Sequence, residues 1–238
     1  MPVLFITGPT ASGKTGRAVD CARRFNGEII SADSRQIYRQ MDLGTGKDLH
    51  EYGNTPHHLI DIAPAGYKYN LFEYLRDASA AIEDVKLRHS LPIVCGGTGL
   101  YVAAVADGYE LVDAGPDEAL RERLEGMSTE ELAALFREKS GEVPAFLDLQ
   151  NRRRLVRACE VLLSGRDFAE TRACRPRYEV LKIGVTWERP VLRQRIDERL
   201  RRRLEQGMID EVRQGLEAGV PYEAFYNLGL EYRFIARY

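Results

Sequence analysis

Eight consecutive residues near the start of the chain, Gly8-Pro9-Thr10-Ala11-Ser12-Gly13-Lys14-Thr15, offer a row of backbone N–H groups, one ammonium and one hydroxyl. Their spacing is G-x-x-x-x-G-K-[ST], which wraps backbone donors and a helix N-terminus around a di- or triphosphate. In that chemistry Lys14 adds a point charge and Thr15 offers its hydroxyl to Mg²⁺. A second reactive group follows at Asp33, just past the apolar pair Ile29-Ile30 and ahead of Ser34-Arg35-Gln36. A carboxylate there can take a proton from an acceptor nucleophile, and its polar neighbours suit a base or a sugar. Plainer readings compete: a ligand-free Gly-rich turn for the loop, and a helix cap for Asp33. The loop spacing alone does not say whose phosphate is held.

These groups need elements to position them. Val3 to Thr7 is a short apolar run leading into Gly8, the pattern of a buried strand, and Ala18, Val19, Ala22 and Phe25 recur at helical spacing over Thr15 to Phe25. Glu28 to Ala32 reads as a second strand, which puts Asp33 at its carboxyl edge, where open α/β sheets bind ligands. Leu71 to His89 reads as a long helix, and Pro92 to Cys95 as a buried strand that ends at Gly96-Gly97. Alternating strands and helices predict a parallel sheet with crossovers. Beyond Gly108 the texture changes to charged helices at Pro116 to Gly126, Thr129 to Ser140 and Asn151 to Ser164. A strand returns at Tyr178 to Trp187, followed by a helix from Pro190 to about Gly207. The expected fold is therefore α/β: a sheet flanked by helices over 1-112 and 178-238, interrupted by a helical lobe over 113-177.

Of the 238 residues, 44% are hydrophobic and 29% charged, which excludes a disordered, collagenous or coiled-coil chain. The formal charge of -2 hides a division: residues 1 to 150 hold 15 Lys and Arg against 23 Asp and Glu, and residues 151 to 238 hold 19 against 13. The positive side chains are 28 Arg and 6 Lys, and the planar Arg fork suits phosphate oxygens. Cys21, Cys95, Cys159 and Cys174 lie too far apart for a Cys-x-x-Cys motif and read as reduced core thiols. His57-His58, adjacent in a strand, would point to opposite faces and complete no metal site. The first residues lack the basic and apolar segments of a secretory signal, and no apolar stretch approaches the roughly 20 residues of a membrane span. A cytoplasmic protein is the expectation.

Five stretches occur in order: GPTASGKT from Gly8 to Thr15, SADSRQIY from Ser31 to Tyr38, MDLGTGK from Met41 to Lys47, PHHLIDI from Pro56 to Ile62, and PIVCGGTGLY from Pro92 to Tyr101. Together they resemble the tRNA dimethylallyltransferases. The likeness continues through Arg152 to Val161 and Arg195 to Arg199, and so covers almost the whole chain. It implies a P-loop NTPase-like fold and transfer of a dimethylallyl group from its diphosphate to N6 of adenosine 37, beside the anticodon of tRNA. On that resemblance the nucleotide-type loop Gly8, Pro9, Thr10, Ala11, Ser12, Gly13, Lys14 and Thr15 holds the diphosphate leaving group together with Thr98. Lys14, Thr15 with Mg²⁺, Thr98 and Arg199 would share the charge of the departing diphosphate, and Asp33 would accept the N6 proton. Contacts to the tRNA anticodon arm would fall on Asp33, Ser34, Arg35, Gln36 and Thr98, on Arg153, Arg154, Leu155, Val156 and Arg157, and near Tyr226 to Glu231. Members of the family usually carry a further basic helical segment past this Gly-Leu-Glu-Tyr region, and this sequence stops at Tyr238.

The residues support part of this independently. Arg153 and Arg157 are four apart on one helix face, and Arg195, Arg199 and Arg202 align in the same way. Arg172, Arg175, Arg177 and Arg201 read as solvated surface, and Tyr38 and Tyr101 as either base-stacking or core. Residues 151 to 203 hold 16 Lys and Arg against 7 Asp and Glu, which favours a large polyanion. Three alternatives remain: prenylation of a free adenine nucleotide, an ATP-dependent small-molecule kinase, and a noncatalytic RNA-binding module. No membrane or protein partner is implied.

Overall fold

Residues 1–111, 117–165 and 174–238 are described in a computed structural model of the chain. They divide into two compact units, Met1–Gly108 with Pro176–Tyr238, and Tyr109–Arg175. Pro116 and Arg172, singled out above, lie outside the described residues.

The first unit is built on five parallel strands in the order β3-β2-β4-β1-β5: β1 (Val3–Thr7), β2 (Gly27–Ser31), β3 (His57–His58), β4 (Leu91–Gly96) and β5 (Val180–Gly184). β1, β2 and nearly all of β4 are buried because crossover helices cover both sheet faces, which is why they read as continuous apolar runs. On one face α2 (Leu71–Leu87) and α3 (Gly99–Ala106) seal a core of Phe5, Ile30, Val94, Tyr74, Ile82 and Val105. On the other, α1 (Lys14–Phe25) packs Ala18, Val19 and Ala22 against Leu4, Ile6, Ile29 and Ile93. Asn70 and Glu73 form a capping box that starts α2.

The second unit holds α4 (Glu118–Glu125), α5 (Thr129–Ser140) and α6 (Arg152–Leu163) around Leu124, Leu132, Phe136, Leu155 and Cys159. Ser128 and Glu131 form the capping box of α5, and Asn151 caps α6. Back in the first unit, α7 (Arg189–Glu205) is followed by α8 (Met208–Glu217), α9 (Tyr222–Leu228) and α10 (Leu230–Ile235). Phe225, Leu228 and Tyr232 from this tail close over Met41 and Val212.

Several expectations are corrected. α3 begins directly after the Gly96-Gly97-Thr98 turn, so Gly99 opens a helix rather than extending the turn. β5 stops at Gly184, so Trp187 lies beyond the strand. Cys95 and Cys159 are buried, but Cys174 is exposed and so not a core thiol. Tyr101 stacks on Tyr74 at 3.7 Å between ring centroids and is a core residue. Among the described residues, no helix is long and apolar enough to cross a membrane.

His58 has a structural role: its Nε2 lies 2.8 Å from Glu28 Oε2, and the Arg88 guanidinium donates to both Glu28 oxygens at 3.0 and 2.7 Å. Chiefly through the Arg88 bond, and secondarily through His58, the Glu28 carboxyl is held at about 2 against an ordinary 4.5, with burial opposing. A depressed carboxylate contributes its stability above its ordinary value and loses it as pH falls toward the folded value. Acid unfolding followed by circular dichroism should therefore show stability on the order of 2 kcal/mol draining away between pH 4.5 and about 2. Glu28→Gln should flatten that limb, and an unchanged acid profile in the variant would refute the assignment.

Candidate active site

Three loops leave the carboxyl ends of neighbouring strands side by side. The phosphate-type loop follows β1, Gly97-Thr98 follows β4, and Ala32 to Gln36 follows β2, in the same order as the strands lie in the sheet. Glycine makes this packing possible. A Cβ on Gly96 would lie 2.1 Å from the Ala32 carbonyl oxygen, and one on Gly8 would lie 2.3 Å from that of Val185. Gly97 lies beside Lys14, but a Cβ there would meet Lys14 Nζ at 3.6 Å, an ordinary contact, so this position does not itself demand glycine.

The loop from Gly8 to Thr15 feeds α1, whose N-cap is Gly13 in the left-handed region, while Ala11 also takes a positive φ of 59°. Its conformation is held from outside by three side chains. Trp187 Nε1 donates to the Ser12 carbonyl at 2.8 Å, Arg195 Nε donates to the Ala11 carbonyl at 2.8 Å, and Arg199 donates to the Thr10 hydroxyl. The Arg195 guanidinium also lies over the Trp187 ring, 5.0 Å from its centroid. With these carbonyls drawn outward, the loop's N–H groups are left to face an anion. Burial, followed by the like charge of Arg203, lowers the Arg199 guanidinium from its ordinary value; Asp48, Glu231 and Asp33 oppose that shift. The Ser12 hydroxyl is buried with no protein partner, a donor available to a phosphate oxygen.

On the loop after β2, Asp33 Oδ1 accepts the Arg35 N–H at 3.1 Å, the Asx-turn pattern rather than a helix cap. The second carboxylate oxygen has no hydrogen bond among the described residues. Thr98 joins the loops, its Oγ1 accepting the Ser34 N–H at 2.9 Å and donating to Ser34 Oγ at 3.2 Å. Cys95, at the end of β4, feels both neighbours: burial pushes its thiol up to about 12, with Lys14 opposing and Asp33 adding to the shift. The site thus pairs an anion cradle with an open carboxylate across the width of one strand.

Not every polar residue of the second loop points outward. Gln36 is buried, its Oε1 accepting from the Ser31 hydroxyl and its Nε2 donating to the Gly46 carbonyl, both at 2.9 Å. Arg35 pairs with Glu231 at 3.5 Å and lies against Gly229. In the second unit, Arg153, Arg154 and Arg157 are exposed on α6, while Leu155 and Val156 turn into the core. Their side chains are buried, so in this structure the exposed surface of that stretch belongs to the three arginines. Arg157 pairs with Glu160 at 3.2 Å along the helix.

The family model described as IPP transferase matches residues 36–238, and that described as isopentenyl transferase matches residues 1–55. The chain belongs to the IPP transferase family. A relative named tRNA dimethylallyltransferase 1 from Geotalea uraniireducens is 49% identical over 99% of this chain and 78% of its own length. The tRNA dimethylallyltransferase 2 of Treponema denticola is 46% identical over 98% of this chain and 80% of its own. Among solved structures, a eukaryotic dimethylallyltransferase described as acting on tRNA superposes with a TM-score of 0.79 at 26% identity, over 91% of this chain and 56% of that one. The tRNA isopentenylpyrophosphate transferase of Bacillus halodurans gives 0.65 at 36%, over 92% and 71%.

For this IPP transferase family member, sequence reasoning passed over Trp187 and the role of Arg195. The signal for Arg195 was present as the four-residue spacing to Arg199, but an arginine face on a helix does not reveal that it clamps a loop more than 180 residues earlier. The inward face of α7 continues to Arg203, which is buried, whereas Arg202 is exposed. Inorganic pyrophosphate provides a simple probe of the cradle. Lys14→Met should weaken its binding roughly tenfold or more, the scale of one charge-assisted contact. Trp187→Ala should weaken it by a smaller factor, since the loop loses one of three external ties. Calorimetric titration measures both, and full affinity in the Lys14 variant would move the anion site elsewhere.

Proposed function

We propose that this protein transfers a dimethylallyl group from dimethylallyl diphosphate to N6 of adenosine 37 in tRNA, beside the anticodon. The observation that carries this reading is the open Asp33 carboxylate on the strand end next but one to the Gly8–Thr15 cradle. Family membership favours prenyl transfer over the phosphoryl transfer that a kinase would perform with the same pair. Both curated relatives cited above bear the name of this tRNA-directed activity.

The bond between C1 of the dimethylallyl group and its bridging oxygen breaks, and a new bond forms between C1 and N6. Diphosphate leaves with the electron pair of the broken bond, and the N6 proton passes to Asp33. Negative charge grows on the leaving group as the bond lengthens, so donors aimed at it stabilise the transition state more than the ground state. The loop N–H groups, Lys14, the unpartnered Ser12 hydroxyl and Arg199 are those donors. Thr98 acts beside them, tying Ser34 to the β4 loop and so fixing the distance between cradle and base. Adenosine 37 must leave its stack to reach this edge, as in other base-modifying enzymes.

Mg²⁺ fits this arrangement as an ion carried by the diphosphate. Thr15, on the first turn of α1, supplies a hydroxyl, and the described residues contain no group of three His, Cys, Asp or Glu able to hold a metal. Such a donor set suits Mg²⁺, which keeps several waters and binds largely through substrate phosphates. When bound, the ion would neutralise charge on the departing diphosphate.

The arginines of α6 provide the polyanion contact in this reading. The helix places Arg153, Arg154 and Arg157 on its exposed side, and a tRNA substrate supports a cytoplasmic location in this reading.

Asp33→Asn should lower transfer to tRNA by at least a hundredfold, the scale of a lost general base, while tRNA binding changes less than about threefold. Transfer of labelled dimethylallyl groups to tRNA, AMP and small alcohols in parallel identifies the acceptor. Labelling of AMP alone would replace the tRNA reading with the nucleotide one. Separately, Arg153→Ala with Arg157→Ala should weaken tRNA binding and lower its salt slope by about 2. An unchanged slope in filter binding would take α6 off the RNA path.

A further inference from the structure

The turn from Asp42 to Gly46 is organised by one carboxylate that the reaction itself does not use. Glu211, on the first turn of α8, accepts the N–H groups of Asp42 and Leu43 on Oε2 at 2.7 and 2.8 Å, and that of Gly44 on Oε1 at 3.2 Å. Tyr232, fully buried on α10, donates its phenol to Oε1 at 2.6 Å. Three consecutive backbone N–H groups are thus gathered by one carboxylate, which Tyr232 holds in turn. Gly44 lies so close to the Tyr232 ring that a Cβ there would approach it to 2.5 Å.

From that turn a chain of hydrogen bonds leads to the reactive loop. The Gly46 carbonyl accepts from Gln36 Nε2, Gln36 Oε1 accepts from Ser31, and the Gln36 N–H donates to the Asp33 carbonyl at 3.2 Å. None of these links involves the Gly8–Thr15 cradle. We infer that Glu211 is a positioning residue for the acceptor half of the site, holding the 42–46 turn so that Gln36 fixes the Asp33 loop. The inference rests on the proposed tRNA prenyl transfer only for its kinetic consequence; the backbone consequence stands on the hydrogen bonds alone.

The geometry separates two halves of one site. External ties on the phosphate loop come from Trp187, Arg195 and Arg199, whereas the Asp33 loop is held by Thr98 at Ser34, by Glu231 at Arg35 and, through Gln36 and Gly46, by Glu211. Loss of Glu211 should therefore slow transfer without weakening the grip on diphosphate. An amide at this position keeps one oxygen to accept from the turn and should restore much of what a methyl group loses.

The test compares Glu211→Ala, Glu211→Gln and Tyr232→Phe in the full chain. At saturating tRNA and dimethylallyl diphosphate, Glu211→Ala should lower kcat at least tenfold, while the Kd for inorganic pyrophosphate stays within twofold. Glu211→Gln should recover at least half of the lost logarithm of rate, and Tyr232→Phe should fall between it and wild type. Amide hydrogen exchange supplies a readout independent of activity: Glu211→Ala should speed exchange at 42–45 and also at Gln36, with the β1 and β4 amides unchanged. Faster exchange confined to 42–45, or kcat equal to wild type, would overturn the inference. So would a matching loss of pyrophosphate affinity, which is the mark of general destabilisation. If Glu211→Ala does not fold, the same comparisons on Glu211→Gln and Tyr232→Phe decide it. Absence of transfer by the wild type would count against the proposed function, and the exchange pattern would then judge the positioning role by itself.

Discussion

Backbone against backbone, with no side chain between, is the contact on which this site depends. At the carboxyl edge of the sheet, Gly96 meets the Ala32 carbonyl and Gly8 meets that of Val185 so closely that neither could carry a Cβ. Parallel strands deliver their carboxyl ends to one edge as a matter of topology, but only this close approach brings three consecutive loops into reach of one ligand. A methyl group at Gly96 would push β4 away from β2 and open the gap that Thr98 bridges to Ser34. Chemistry at the edge thus inherits its precision from the sheet rather than from the loops themselves.

Charge is arranged on the same plan. The first 150 residues carry an excess of acid, yet the anion cradle lies among them, because its donors are mostly peptide N–H groups and a helix N-terminus. Formal charge counts miss such donors. The arginines that reinforce the cradle arrive from α7, in the basic part of the chain, and Arg195 works by holding the Ala11 carbonyl. Arg199 is the exception in character: burial and the proximity of Arg203 make its charge costly, and an arriving anion would relieve both.

The tail of the first unit serves the other half of the site. α8 to α10 bury Phe225, Leu228 and Tyr232 against Met41, and that apolar seal carries Glu211 to the 42–46 turn. Lys47 shows the same economy of buried charge: its ammonium is enclosed and shared among the Tyr38 carbonyl, Asp42 and Asp61. An ammonium buried without such partners would be untenable. Loops that look irregular in sequence are therefore pinned by charged groups, Lys47 from within the same stretch and Glu211 from far along the chain.

Much of the framework was legible in the sequence because it rests on local physics. Apolar runs that alternate with helical periodicity, broken by Gly8 and by Gly96-Gly97, specify a parallel sheet with its loops at one edge, and the spacing from Gly8 to Thr15 specifies an anion cradle. α5, with a capping box and an amphipathic pattern, was predicted at its observed bounds, Thr129–Ser140. What the sequence could not determine depends on contacts between distant residues. Gln36 looks like an exposed recognition residue until Ser31 and Gly46 claim both ends of its amide, and Leu155 and Val156 look continuous with the neighbouring arginines until packing turns them inward. Trp187 and Glu211 carry no motif, and the stretch that holds Arg195 does not reveal its role, since a clamp is defined by the loop it holds and not by its own neighbours. Local pattern chose the elements and the chemistry; only the tertiary structure decided which side chains are left free to perform it.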